Sequence, residues 1–142
     1  MRKGFEWIEH PSDVGFRAYG RTLAEAFENA GLALFEIMTD LSKVEAQEEF
    51  SITLEAEDKY ALLYDWIDRL LYLHDSLGVI LSKFEVRIRE EEGKFKLEAK
   101  AWGEKFDPSR HPSKTSVKAM TYHMMEIEEG KDYACVQVVV DI

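Results

Sequence analysis

The sequence predicts an α+β fold, a two-layer sandwich of two amphipathic helices on a mixed β-sheet of about seven strands, built from strand-helix-strand-strand-like modules. Three observations carry this. Two stretches, beginning near Leu23 and Asp58, repeat apolar residues at helical spacing. The stretches around them alternate apolar and polar residues with the period of a strand. One pair of alternating stretches brackets the turn Glu91-Glu92-Gly93, a hairpin signal. At 142 residues the chain is expected to form one domain, residues 1–142.

Phe5 to Ile8 reads as a short first strand, and Val14 to Gly20 alternates and stops on glycine as a second. Thr22 and Glu25 form a capping box, in which the threonine caps the helix and the glutamate reaches back. Leu23, Phe27, Ala30, Leu34, Phe35 and Met38 line that helix, which is expected to run to about Asp40. Phe50, Ile52, Leu54 and Ala56 alternate with polar residues, giving a strand with one wet face. Asp58 is an N-cap, Leu63 to Leu77 carry the second apolar stripe, and Gly78 ends the helix. Phe84, Val86 and Ile88 lead through the hairpin turn to Phe95, Leu97, Ala99 and Ala101. Trp102 to Lys114 holds two prolines and dense polar chemistry, and reads as a long functional loop. Val117 to Ile127 is expected to be one strand, and Ala134 to Val140 a buried final strand.

Composition narrows the function. The net charge of −10 argues against strong direct binding of nucleic acid, whose affinity comes largely from lysine and arginine neutralising phosphates. An acidic surface suits a basic protein partner. No apolar run is long enough to span a bilayer, and the N-terminus shows no apolar signal region, so a cytoplasmic protein is expected. The single cysteine, Cys135, excludes an internal disulfide and a paired-cysteine metal motif. Scarce Asn and Gln beside abundant Glu and Lys is the composition of a thermophile.

The chain closes on Asp141 and Ile142 immediately after the final strand. A terminal carboxylate one residue from an aspartate, on a rigid element, repels it unless a cation or donors lie between. Oxygen ligands of this kind suit Mg²⁺ or Ca²⁺; the plainer reading is two hydrated charges at a strand end. Asp13, in the turn Glu9 to Gly15, could add a third carboxylate or simply serve its own turn. His10 precedes Pro11 in that turn. Glu104, Asp107, Arg110 and His111 place acid, base and cation within eight positions, either as an acid–base set or as a salt-bridged loop. In the expected strand Lys118, Met120 and Tyr122 share one face, and Thr121 and His123 the other. No nucleophile elbow, phosphate-binding glycine loop or metalloprotease motif is present.

Taken together, these residues resemble the archease family. The resemblance rests on His10-Pro11-Ser12-Asp13-Val14-Gly15, where the family more often has His-Thr-Ala-Asp, and on the Leu23 to Asp40 helix. It rests also on Asp65-Trp66 with Leu70 to Leu73, on Gly103-Glu104 with Asp107, Arg110 and His111, on Val117 to His123, and on Asp141-Ile142. It implies a protein cofactor rather than an enzyme, serving the GTP-dependent tRNA-splicing RNA ligase that joins a 2′,3′-cyclic phosphate or 3′-phosphate end to a 5′-hydroxyl. Archeases promote guanylylation of the ligase histidine, allow multiple turnover and widen nucleotide use. The resemblance also implies a divalent metal, calcium first with magnesium or manganese as alternatives, on Asp13, Asp141 and the Ile142 carboxylate. His10, Glu104, Asp107, Arg110, His111, Lys118 and His123 are then candidates for supporting or ligase-activating roles. Two other classes remain: a stand-alone metal-dependent hydrolase or phosphotransferase using Asp13, Asp141, Glu104 and His111, and a chaperone or adaptor.

Overall fold

The computed structural model describes residues 4–9 and 13–142. In chain order the elements are β1 (Phe5–Glu9), β2 (Asp13–Gly20), α1 (Leu23–Met38), a short 3₁₀ turn (Leu41–Lys43), β3 (Glu48–Ala56) and α2 (Lys59–Leu77). There follow β4 (Val79–Glu91), β5 (Lys94–Lys105), β6 (Ala119–Met120), β7 (Glu126–Gly130) and β8 (Tyr133–Asp141). The α+β class and the sandwich hold. In place of one mixed sheet, the strands divide between two sheets whose pairings are antiparallel. The first runs β1-β2-β8-β6, with β7 also paired to β8, and the second runs β3-β5-β4.

The helices form where the caps and stripes place them. Thr22 Oγ1 accepts the Glu25 N–H at 3.1 Å. Glu25 reaches back one residue further than expected, to the Arg21 N–H at 3.0 Å. Asp58 Oδ1 accepts the Ala61 N–H at 2.8 Å, and α2 ends on Gly78 in the left-handed region at φ 68°. Helix α1 stops at Met38, with Thr39 already extended, rather than at Asp40. It packs across β2 and β8 of one sheet and β4 of the other, so a single helix closes the core of both. Trp66 of α2 is fully buried, and its Nε1–H donates to the Phe27 carbonyl of α1 at 2.9 Å, which stitches the two helices together.

Strand β4 is an edge of its sheet, and edges carry unpaired N–H groups that invite another strand. Here Glu28 of α1 reaches over and its Oε2 accepts the Val86 N–H at 2.8 Å. Burial pushes the Glu28 carboxyl above its usual range, against the lowering effect of that bond.

The single strand expected over Val117 to Ile127 is two strands and a turn. One side of β8 is shared: β6 pairs with Val140 and Asp141, and β7 pairs from Tyr133 to Gln137. Thr121 to Met125 lie between these ladders, and Met124 takes a left-handed φ of 54°. Tyr122 and His123 therefore leave the alternation expected of them. The expected loop from Trp102 begins later, because β5 runs on to Lys105. Gly103 allows this, since a Cβ there would lie 1.9 Å from the Ile80 carbonyl oxygen of β4. Among the described residues no helix is long and apolar enough to cross a membrane.

Candidate functional site

The register of β2 on β8 sets Asp13 directly opposite Asp141. Opposed residues in an antiparallel pair hold their Cβ atoms about 4.5–5.5 Å apart, and like charges there repel. The strand that presents Asp141 is firmly held: Ala134 to Val140 are all buried, between β2 on one side and β6 and β7 on the other. Ile142 packs its half-buried side chain on the core. The Lys118 N–H, just before β6, donates to the Asp141 carbonyl at 2.8 Å. Asp141 itself is exposed and Asp13 half-buried, so the pair faces solvent from a rigid sheet end.

Among the described residues no three Asp, Glu, His or Cys side chains gather as a metal cage. Among the described residues, the register of β2 on β8 brings two side-chain carboxylates to this tip. Such a set fits a hard cation that completes its shell with main-chain oxygen and water, and does not fit zinc.

A second cluster sits where β5 leaves the other sheet. Glu104 is buried, and its Oε2 accepts both the Glu45 N–H at 2.7 Å and the His111 Nε2–H at 3.0 Å. Its other oxygen pairs with Arg110. The Glu45 N–H, with help from Arg110 and His111, holds the Glu104 carboxyl below its usual range against the opposing effect of burial. His111 is 1% exposed, and its Nδ1 accepts the Asp107 N–H at 2.8 Å. That acceptor role fixes the neutral tautomer with the proton on Nε2. Both ring nitrogens are thus occupied, and neither is available to take a proton from a substrate. Asp107 Oδ1 accepts from the Ser109 N–H at 2.9 Å and hydroxyl at 2.7 Å, which lowers its carboxyl.

Residues 112–115 then dress the end of α1. The Lys114 and Thr115 N–H groups donate to the Met38 and Ile37 carbonyls at 3.0 Å each, satisfying open helix carbonyls. The buried Thr39 hydroxyl donates to the Pro112 carbonyl at 2.7 Å. The Glu104 cluster therefore anchors one end of a strap whose other end is the Lys118 bond to Asp141.

The structure thus brings Asp13 and Asp141 together, and separately Glu104, Asp107, Arg110 and His111. Lys118 is exposed beside the tip; His123 lies in the turn before β7, with its N–H donating to Thr121 Oγ1 at 3.1 Å. His10 lies outside the described residues. Sequence reasoning missed Glu45 and Thr39. Glu45 acts through its backbone and leaves no side-chain signal, whereas a threonine directly after the last apolar position of α1 is a readable one.

Over residues 5–142 the chain matches the family described as the Archease protein family (MTH1598/TM1083). It is 53% identical over 138 residues to protein archease of Sulfurisphaera tokodaii, covering 97% of this chain and 98% of that one. It is 48% identical over 128 residues to protein archease of Pyrococcus furiosus, covering 90% of each. The solution structure of Methanobacterium thermoautotrophicum protein 1598 matches with a TM-score of 0.87 at 43% identity, covering 99% of this chain and all, 100%, of that one. A crystal structure from Thermotoga maritima, described as an archease and possible chaperone, matches with a TM-score of 0.60 at 25% identity, over 100% of this chain and 98% of that one.

Proposed function

This chain belongs to the archease family, and on that footing we propose that it is a protein cofactor of a GTP-dependent tRNA-splicing RNA ligase. The reaction assisted is guanylylation of the ligase: a histidine nitrogen attacks the α-phosphorus of GTP, a P–N bond forms, and pyrophosphate leaves. The observation that carries the reading is the register of β2 on β8, which sets Asp13 against Asp141 at a rigid, exposed sheet end. We take Asp13 and Asp141, with the main-chain carboxyl of Ile142, as the ligands of a divalent cation, calcium first, with magnesium and manganese as alternatives. When bound, that cation supplies positive charge for phosphate or carboxylate oxygens at the ligase nucleotide site. The chain's own part is to hold two carboxylates at a fixed spacing that the ligase can receive. A net charge of −10 keeps the chain from competing for RNA and favours a basic face of the ligase.

The test is ligation of a cyclic-phosphate RNA by a purified ligase in substrate excess, with and without this chain. Multiple turnover only in its presence supports the reading, and Asp13→Ala should remove the effect while keeping a native melting curve. No change in turnover overturns it. The description of the Thermotoga maritima relative favours a second reading, a chaperone or adaptor. Suppressed aggregation of unrelated unfolded proteins, without ligase activation, would select it. Turnover of phosphoesters by this chain alone would select a hydrolase or phosphotransferase instead.

A further inference from the structure

We propose that the stacked pair Tyr64–Tyr122, with the aspartates beside it, is a docking site for an arginine side chain on a basic protein partner. This rests on the reading above that the chain acts on a protein, and it names the chemistry that would hold that protein.

The rings of Tyr64, on α2, and Tyr122, between β6 and β7, stack with centroids 4.4 Å apart and 16° between planes. Tyr122 is nonetheless 56% exposed, and Tyr60, one helical turn before Tyr64, is 46% exposed. An aromatic left in water is not unusual, but this one is held in place. Thr121 Oγ1 donates to the Val139 carbonyl at 2.9 Å. The Met125 N–H donates to the Tyr122 carbonyl at 3.2 Å. The buried Gln137 donates through Nε2 to the Met124 carbonyl at 2.7 Å. Met124 accepts a left-handed backbone to make the turn, a conformation that a residue other than glycine adopts at a cost. The turn is bolted at both ends to buried β8, so Tyr122 offers its open face without first having to be ordered.

The surroundings select the ligand. Asp65 and Asp58 lie close enough to Tyr122 to add to the effect of burial in raising its hydroxyl pKa. Burial and Asp68 raise the Asp65 carboxyl, while Arg69 opposes them. Lys59, the other cation on this stretch, is paired with Glu129. An aromatic face rimmed by carboxylates suits guanidinium, which stacks flat on a ring and offers a fork of donors to an acid. Ammonium lacks the plane. An apolar partner would have to desolvate the acids. The location fits as well: Tyr122 follows β6, whose Ala119 and Met120 pair with Asp141 and Val140. Tyr122 thus lies on the segment that leaves the strand paired with Asp141.

Two measurements test this. In the first, hexa-arginine and hexa-lysine peptides are titrated into the isotope-labelled chain. Amide shifts for arginine should centre on Tyr60, Tyr64, Asp65 and Tyr122, with affinity about two- to fivefold above lysine. Tyr122→Leu should abolish that preference, and Asp68→Asn, at an exposed site, should weaken arginine binding without touching the core. Equal affinities, or shifts spread over the whole acidic surface, overturn the proposal. In the second, ligase activation is titrated with each variant. Both should raise the half-activating concentration, with activation recovered at high concentration. Activation by the wild type with an unchanged titration for both variants overturns the docking site and leaves the cofactor reading standing. Arginine-selective binding at Tyr122 with no activation by the wild type keeps the docking site and removes the ligase as its partner.

Discussion

Replacing Glu104 separates a structural anchor from a chemical group, and its two obvious substitutions should behave very differently. Oε2 alone serves both the Glu45 N–H and the buried His111 Nε2–H, while Oε1 meets only Arg110. Glu104→Ala leaves the buried His111 N–H without a partner, which costs about 1–3 kcal/mol, and removes a charge-assisted bond. Glu45 and Arg110 are exposed enough to turn to water and add little. The loss should total about 2–4 kcal/mol. With an unfolding entropy near 2.1 cal/mol/K per residue, about 0.3 kcal/mol/K for 142 residues, Tm should fall by about 7–13 °C. Glu104→Gln can keep its amide oxygen at the Oε2 position and turn its NH₂ toward the half-exposed Arg110, so its loss should be about 1 kcal/mol. The assay is thermal unfolding by circular dichroism at neutral pH, with hydrogen exchange at Lys118 as a reporter of the far end of the strap. Exchange there should quicken in the alanine variant. Equal damage from both substitutions, or a Tm for Glu104→Ala within two or three degrees of wild type, would refute the anchor.

The same carboxylate predicts an acid response. Its folded-state pKa lies below the ordinary value of 4.5, so its contribution is fully present above that pH and is lost as pH falls through the folded value; Glu104→Gln should flatten this part of the stability profile. Calcium should stabilise the wild type by an amount that grows with concentration, about 2.7 kcal/mol at a hundredfold excess over Kd and read as a rise in Tm, and Asp13→Asn should lose that response. A Cβ at Gly103 would strike the Ile80 carbonyl, whereas one at Gly78 meets open space and suffers only from φ 68°. Gly103→Ala should therefore fail to fold, and Gly78→Ala should lose only about 1 kcal/mol in a denaturant titration. Burial pushes the Cys135 thiol up and keeps it protonated, so a thiol reagent should label it only on unfolding, as timed labelling at neutral pH would show.

Much of the fold is legible because its signals are local. Thr22, Asp58 and Gly78 mark helix ends through bonds spanning three or four residues, and the Glu92-Gly93 turn closes its hairpin within two. The failures lie where a distant strand decides. Val117 to Ile127 alternates well enough to be a strand, yet β8 offers a ladder only to its two ends, and the middle turns away. Gly103 falls inside the stretch read as a loop, but its lack of a side chain is what lets β4 pass so close. At the site, the sequence shows Asp13 and Asp141 at opposite ends of the chain, and only the antiparallel register makes them neighbours. Glu104 and His111 look like an acid–base pair in sequence, because nothing local shows that the Asp107 N–H already fills the histidine's acceptor.

The bond from Glu28 to Val86 bears on how these molecules treat one another. It occupies one N–H on the open edge of β4 with a carboxylate borrowed from a helix, which adds to overall charge as a barrier to strand-to-strand self-association there. Burial has raised that carboxyl, so the guard is neutralised earlier in an acid titration than an ordinary glutamate would be. Mild acid thus weakens the plug while the net negative charge is also shrinking, and the two barriers to edge-on aggregation fall together. Storage and handling above that range keep both in place.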